Sequence, residues 1–109
     1  MRPKLWSVAG LAVMLVGPAE AQCNLSGLVG YTLIAQKTID GYVQGEKRGN
    51  DFEGCDFDRI IVFDDNTGVR CMTYSYTYSY RPDAYIFATN LGSMKMCVEN
   101  ELYDVAPPH

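Results

Sequence analysis

Four cysteines, Cys23, Cys55, Cys71 and Cys97, constrain this chain of 109 residues more than any other feature. Their gaps of 32, 16 and 26 residues lack the C-x2-C pairs of thiolate metal sites, so no metal centre is expected. An even number of cysteines in a short chain with an export leader predicts two disulfides, with three pairings open. Such staples matter because a domain this small buries only roughly 60–65% of its unfolded surface and has a thin core. Each bridge is worth ~2–5 kcal/mol.

The leader is residues 1–21. Arg2 and Lys4 form a basic start, Leu5 to Gly17 is apolar, Pro18 breaks the run, and Ala19-Glu20-Ala21 is a small-x-small cleavage pattern. The 13 apolar residues fall short of the ~20 of a spanning helix. Gln22 before Cys23 also does not suit lipidation. Cleavage leaves residues 22–109 as one domain of 88 residues in the periplasm or outside the cell, without a membrane span. With 7 basic and 12 acidic side chains this domain carries a net charge of −5, which argues against nucleic acid and anionic membranes as partners. The only tryptophan, Trp6, leaves with the leader.

Period-two patterns dominate what remains, and no helical period is evident. Tyr31 to Ala35 reads as a strand that Thr38 to Val43 either continues or follows as a second, with Gly41 as a bulge or bend. Residues 45–54 read as a polar loop. Arg59 to Phe63 and Val69 to Tyr80 form a hairpin around Asp64-Asp65-Asn66-Thr67-Gly68. Ala84 to Thr89, Met94 to Val98 and Glu101 to Val105 complete five to seven strands, with a short helix as the alternative for the last 16 residues. The expected fold is all-β: a small antiparallel meander, stapled by disulfides and closing into a barrel or sandwich.

Within the hairpin, Tyr74, Tyr76, Tyr78 and Tyr80 alternate with Ser75, Thr77 and Ser79, so all four rings share one face. Two readings compete. The ladder can pack as core across neighbouring strands. It can also form an exposed platform of rigid, amphipathic rings for a sugar or a protein. With five turn residues, Phe63 faces Val69, Cys71 faces Ile61, Tyr74 faces Asp58 and Tyr76 faces Asp56. The even face then collects Asp56, Asp58, Arg70 and the tyrosines, and the odd face collects Phe57, Ile61, Phe63, Val69 and Cys71. Two carboxylates beside the rings favour the exposed reading, whereas the hydroxyls of Ser75, Thr77 and Ser79 make a poor core. On this register Cys55 lies ~20 Å from Cys71, too far to bridge. A Cys55–Cys71 bond requires the chain to fold back at Asp56-Phe57-Asp58, which Gly54 would permit.

Asp51, Glu53, Asp56 and Asp58 are dense enough to raise the question of calcium, but they lack the glycine and distal glutamate of an EF-hand loop. A solvated acidic loop without a cofactor is the expectation. His109, the only histidine, follows Pro107-Pro108 at the terminus, so no nucleophile–base pair can be assembled from Ser or Cys.

The run Asp51-Phe52-Glu53-Gly54-Cys55-Asp56-Phe57-Asp58-Arg59-Ile60-Ile61-Val62-Phe63, with Val69-Arg70-Cys71 and Tyr-x-Tyr-x-Tyr, resembles small exported alphaproteobacterial proteins of unassigned chemistry. The resemblance implies export and a bacterial origin, and transfers no functional residue. The function expected from the residues is a non-catalytic binding module. Tyr74, Tyr76, Tyr78, Tyr80, Asp56 and Asp58 would meet a polysaccharide or an envelope protein. The alternatives are a structural or protein-interaction domain with the ladder in its core, and a small carboxylate-dependent hydrolase.

Overall fold

The computed structural model describes residues 23–108. The leader expected over residues 1–21 lies outside the described residues, as does His109. Seven strands follow a 3₁₀ turn at Leu25–Leu28: β1 (Thr32–Gln44), β2 (Lys47–Gly49), β3 (Ile60–Phe63), β4 (Gly68–Cys71), β5 (Asp83–Ala88), β6 (Met94–Val98) and β7 (Glu101–Ala106). Met94 to Val105 is thus strand and turn, without a helix.

The strands pair in the order β2-β1-β3-β4-β7-β6-β5, every pair is antiparallel, and β1 also pairs with β5. Six strands therefore close into a barrel, with β2 as an outer extension. Closure removes the free edges that an open sheet of this size would expose. Strand order departs from chain order where β4 pairs with β7, joining the unit β1-β3-β4 to the unit β5-β6-β7.

β1 is long enough to close the barrel because it bends. Its first half pairs with β5, its second half with β3, and the register shifts between Ile39 and Gly41. The extra residue puts both Ile39 and Tyr42 inside, where strict alternation would separate them. A side chain at Gly41 would collide with the carbonyl of Gly49, so glycine lets β2 approach at this bend.

Alternation fills the barrel. Ile61 pairs with Val69, Cys71 with Val105 and Met96 with Tyr103, all buried in one cluster. Cys97 sits between the core residues Met96 and Val98 and so faces away from that cluster. It is bridged there to Cys23, at 6.1 Å between Cα atoms, which ties the N-terminal segment to the outside of the barrel. The 3₁₀ turn rests against β7 at the same place: a side chain at Gly27 would meet Leu102.

Tight turns complete the β units. At Glu99-Asn100 both residues have positive φ, 51° and 73°, and Val98 pairs with Glu101, the two-residue geometry suited to strand twist. Between β3 and β4, Phe63 receives a bond from the amide of Asn66 and donates to the carbonyl of Thr67. The loop therefore has three residues, not the expected five, and Ile61 rather than Phe63 faces Val69. The shift is even-numbered, so Ile61, Phe63, Val69 and Cys71 still point inward.

Candidate functional site

Alternating strand directions place the ends of β1, β4 and β6 at one mouth of the barrel, with the starts of β3, β5 and β7. β4 and β5 lie on opposite sides of the ring of strands, so the connection through residues 72–82 must cross that mouth. It carries all four ladder tyrosines.

The crossing segment is an extended strap, not a continuation of β4. Phe52 and Ser79 exchange backbone hydrogen bonds of 2.9 Å, and Cys55 and Ser75 exchange bonds of 2.8 and 3.0 Å. The strap thus rests on residues 52–55. The expected pairs Tyr74–Asp58 and Tyr76–Asp56 do not form, because the chain reverses at Asp56-Phe57-Asp58. There the amide of Arg59 donates to the carbonyl of Asp56, and Asp58 adopts a φ of 68°. This reversal also turns Phe57 out to solvent, 61% exposed, against the expectation that it lines the buried face. It brings Cys55 to 5.5 Å from Cys71 between Cα atoms, and the two are bonded. Both disulfides are thereby assigned, Cys55–Cys71 and Cys23–Cys97.

Period two then sorts the strap. Thr73, Ser75, Thr77 and Ser79 are half-buried, and the hydroxyl of Ser79 donates to Glu99 at 3.1 Å. Tyr74, Tyr76, Tyr78 and Tyr80 are 64%, 64%, 57% and 68% exposed. The ladder is not core. What it covers is Phe52, fully buried in the mouth with its ring edge-on to Tyr103 at 5.6 Å and 89°. Met72, at the start of the strap, and Phe57, in the turn after Cys55, are exposed as well.

Gly54 makes the seat possible. Its φ of 83° lies in the left-handed region, and a Cβ there would drive into the carbonyl oxygen of Ser75. Beneath, Arg59 is 6% exposed. Its Nε and Nη2 donate to Gln44 Oε1 at 3.2 and 3.1 Å, and its Nη1 donates to the carbonyls of Glu53 and Gly54 at 3.3 and 3.2 Å. Arg59 and Tyr42 were not legible as site supports. An arginine opening an apolar strand was the only sign.

The carboxylates divide among separate partners. Asp56 accepts from Gln44 Nε2 at 3.0 Å and from the Phe57 amide at 2.8 Å, and the Gln44 bond holds its carboxyl below the usual range. Glu53 accepts from the Tyr42 hydroxyl at 3.3 Å. Partial desolvation, and then the Asp51 carboxylate, pushes the Tyr78 phenol upward, so Asp51 lies beside that ring. Asp58 is exposed in its turn. Among the described residues no three potential ligand side chains converge on a metal position.

A cleft of about 160 Å³ runs past Asp40, Arg48 and Asn50, and one of about 340 Å³ lies between Tyr31, Lys95 and Asp104. Neither includes a strap tyrosine. The strap offers stacking faces, phenol hydroxyls and nearby carboxylates on an open strip, which suits binding more than chemistry that must exclude water. No protein-family model, curated protein or solved structure matches the chain.

Proposed function

We propose that this protein is an exported, non-catalytic binding module whose tyrosine strap contacts an envelope polysaccharide or an envelope protein. The observation that supports this reading most is the exposure of all four ladder rings, 57–68%, on a segment anchored from below by backbone bonds and a disulfide. Rings held in place lose little freedom on binding, so more of their contact energy reaches the complex. Two disulfides suit the oxidising compartments outside the cytoplasm, in the periplasm or beyond. The hydrolase alternative is weakened because Asp56 is engaged by Gln44 and the Phe57 amide while Asp58 stands apart in an exposed turn.

Thermal shifts of the oxidised protein against a panel of oligosaccharides test the reading. A ligand at 100 times its Kd stabilises by about 2.7 kcal/mol, a shift on the order of 10 °C for a domain of this size. Tyr76→Ala should abolish that shift while moving the ligand-free stability by no more than about 0.5 kcal/mol, as at other exposed sites. A shift that survives Tyr76→Ala removes the strap from the function. EDTA should leave the melting temperature unchanged.

A further inference from the structure

A strand turns its backbone N–H and C=O groups to alternate sides, residue by residue. In the strap, Ser75 and Ser79 turn theirs toward residues 52–55 and bond there. Tyr74, Tyr76 and Tyr78 turn theirs to the opposite edge, where no backbone partner meets them among the described residues. Natural proteins usually blunt such an edge with lysine, proline or a bulge. Met72 to Tyr80 contains no charged residue, proline or glycine. The row of free amides repeats every ~6.7 Å, the two-residue repeat of another strand, which a second extended backbone matches group for group.

Charge narrows the occupant. Asp51 and Glu53 lie by Tyr78, Asp56 adjoins the Cys55–Ser75 bridge, and Glu99 accepts from the Ser79 hydroxyl, so carboxylates lie along the paired edge of the strap and beneath its hydroxyl face. Tyrosine faces attract cations through the ring quadrupole. Among the described residues that contact already occurs at three tyrosines: the Arg81 guanidinium lies 5.7 Å from the Tyr80 centroid, that of Arg59 4.6 Å from Tyr42, and the Lys95 ammonium 5.6 Å from Tyr31. A second copy of the chain would bring two such acidic flanks together.

We propose that the free edge of the strap is a strand-addition site for an extended polypeptide carrying Lys or Arg at alternate positions. Its backbone pairs with Tyr74, Tyr76 and Tyr78, and its cations lie among the rings and the flanking carboxylates. This deepens the binding-module reading and rests on it.

The test titrates the oxidised, exported protein with three short peptides that span the strap. One alternates Lys and Val, one alternates Glu and Val, and one is the Lys form N-methylated at every second backbone nitrogen on its bonding face. The Lys peptide is expected to bind and to slow amide hydrogen exchange at Tyr74, Tyr76 and Tyr78. N-methylation and the Glu exchange should each weaken binding at least about tenfold, the equivalent of roughly 1.4 kcal/mol. Equal binding by the N-methylated peptide overturns the edge pairing, and equal binding by the Glu peptide overturns the cationic partner. Absence of Lys-peptide binding, with a sugar shift that depends on Tyr76, overturns this inference and leaves the binding-module reading standing. If neither appears, this inference falls and the polysaccharide form of the binding-module reading falls with it. Concentration-dependent dimerisation that protects the same amides without peptide overturns it in favour of a second copy.

Discussion

The guanidinium of Arg59 lies over the ring of Tyr42, its carbon 4.6 Å from the ring centroid. Among the described residues Arg59 makes no ion pair, and its donors go instead to Gln44 and to the carbonyls of Glu53 and Gly54. One planar cation thereby joins the end of β1, the loop under the strap and the start of β3. Burial of its charge is tolerated because each nitrogen has an acceptor and one face has a ring.

Arg59→Lys keeps the charge but loses the fork that reaches Gln44 and both carbonyls. The expected cost is about 2–4 kcal/mol, since several acceptors lose their donors in a buried place. Urea unfolding should show a lower midpoint with an unchanged slope. A loss below about 0.5 kcal/mol would mean that Arg59 does not hold the loop.

Gly54 and Gly45 separate backbone strain from collision. Both have positive φ, 83° and 63°, but a side chain at Gly45 meets nothing within 4 Å whereas one at Gly54 strikes Ser75. Gly45→Ala should cost about 1 kcal/mol, the left-handed penalty alone. Gly54→Ala should cost at least about 2 kcal/mol and raise exchange at the Cys55 and Ser75 amides, because the strap must lift. Equal losses at the two positions would contradict the seat described for Ser75.

Lys37 donates to Asp65 at 2.5 Å, and this bond, helped by the hydroxyl and amide of Thr67, lowers the Asp65 carboxyl from 3.8 to about 2. A carboxyl lowered on folding contributes stability that is present above its unfolded pKa and is lost as pH falls through the folded one. Stability should therefore decline between about pH 4 and pH 2. Asp65→Asn should flatten that part of the acid limb. Its melting temperature should approach that of the parent protein as pH falls to about 2. Raising the salt concentration should weaken the effect, because the Asp65 side chain is 48% exposed. A parallel offset at all pH values would show that the ion pair is not its origin.

The two disulfides should differ in what they control. Cys23–Cys97 closes 74 residues and Cys55–Cys71 closes 16, so chain entropy alone gives losses of about 4.5 and 3 kcal/mol on removal. Only the shorter bridge lies in the core cluster and anchors the seat of the strap. Chymotryptic cleavage after Tyr74 to Tyr80 should accelerate in Cys55→Ala/Cys71→Ala. In Cys23→Ala/Cys97→Ala the strap should stay protected while the N-terminal segment loosens. Cutting of the strap at the same rate in both variants would contradict this division.

Much of the barrel was legible from local pattern. The β3–β4 hairpin follows from alternation across Ile60 to Phe63 and Val69 to Cys71, with turn-forming residues between. Its exact register was not, because Asn66 enters the left-handed region at φ 68° and shortens the loop by two residues. Since two is the side-chain period, the inward face came out right. At Asp56-Phe57-Asp58 continued alternation misled. The chain turns there, and Phe57 leaves the face it was expected to share.

The tyrosine ladder marks the boundary between the two kinds of information. Sequence alone determined that four rings share one face, that four cysteines staple a small β domain, and where most of its turns fall. These follow from backbone periodicity and turn chemistry, which act within a few residues. Only tertiary structure decided which face of the ladder meets water, which cysteines pair, and that Arg59 lies buried beneath. Each depends on segments distant in the chain being brought together. Barrel closure sends residues 72–82 across the mouth, the Asp56–Arg59 turn pairs residues 52–55 along one edge of that strap, and the hydroxyl side faces inward, where Ser79 bonds Glu99. That side is thereby covered, and the rings are left in solvent.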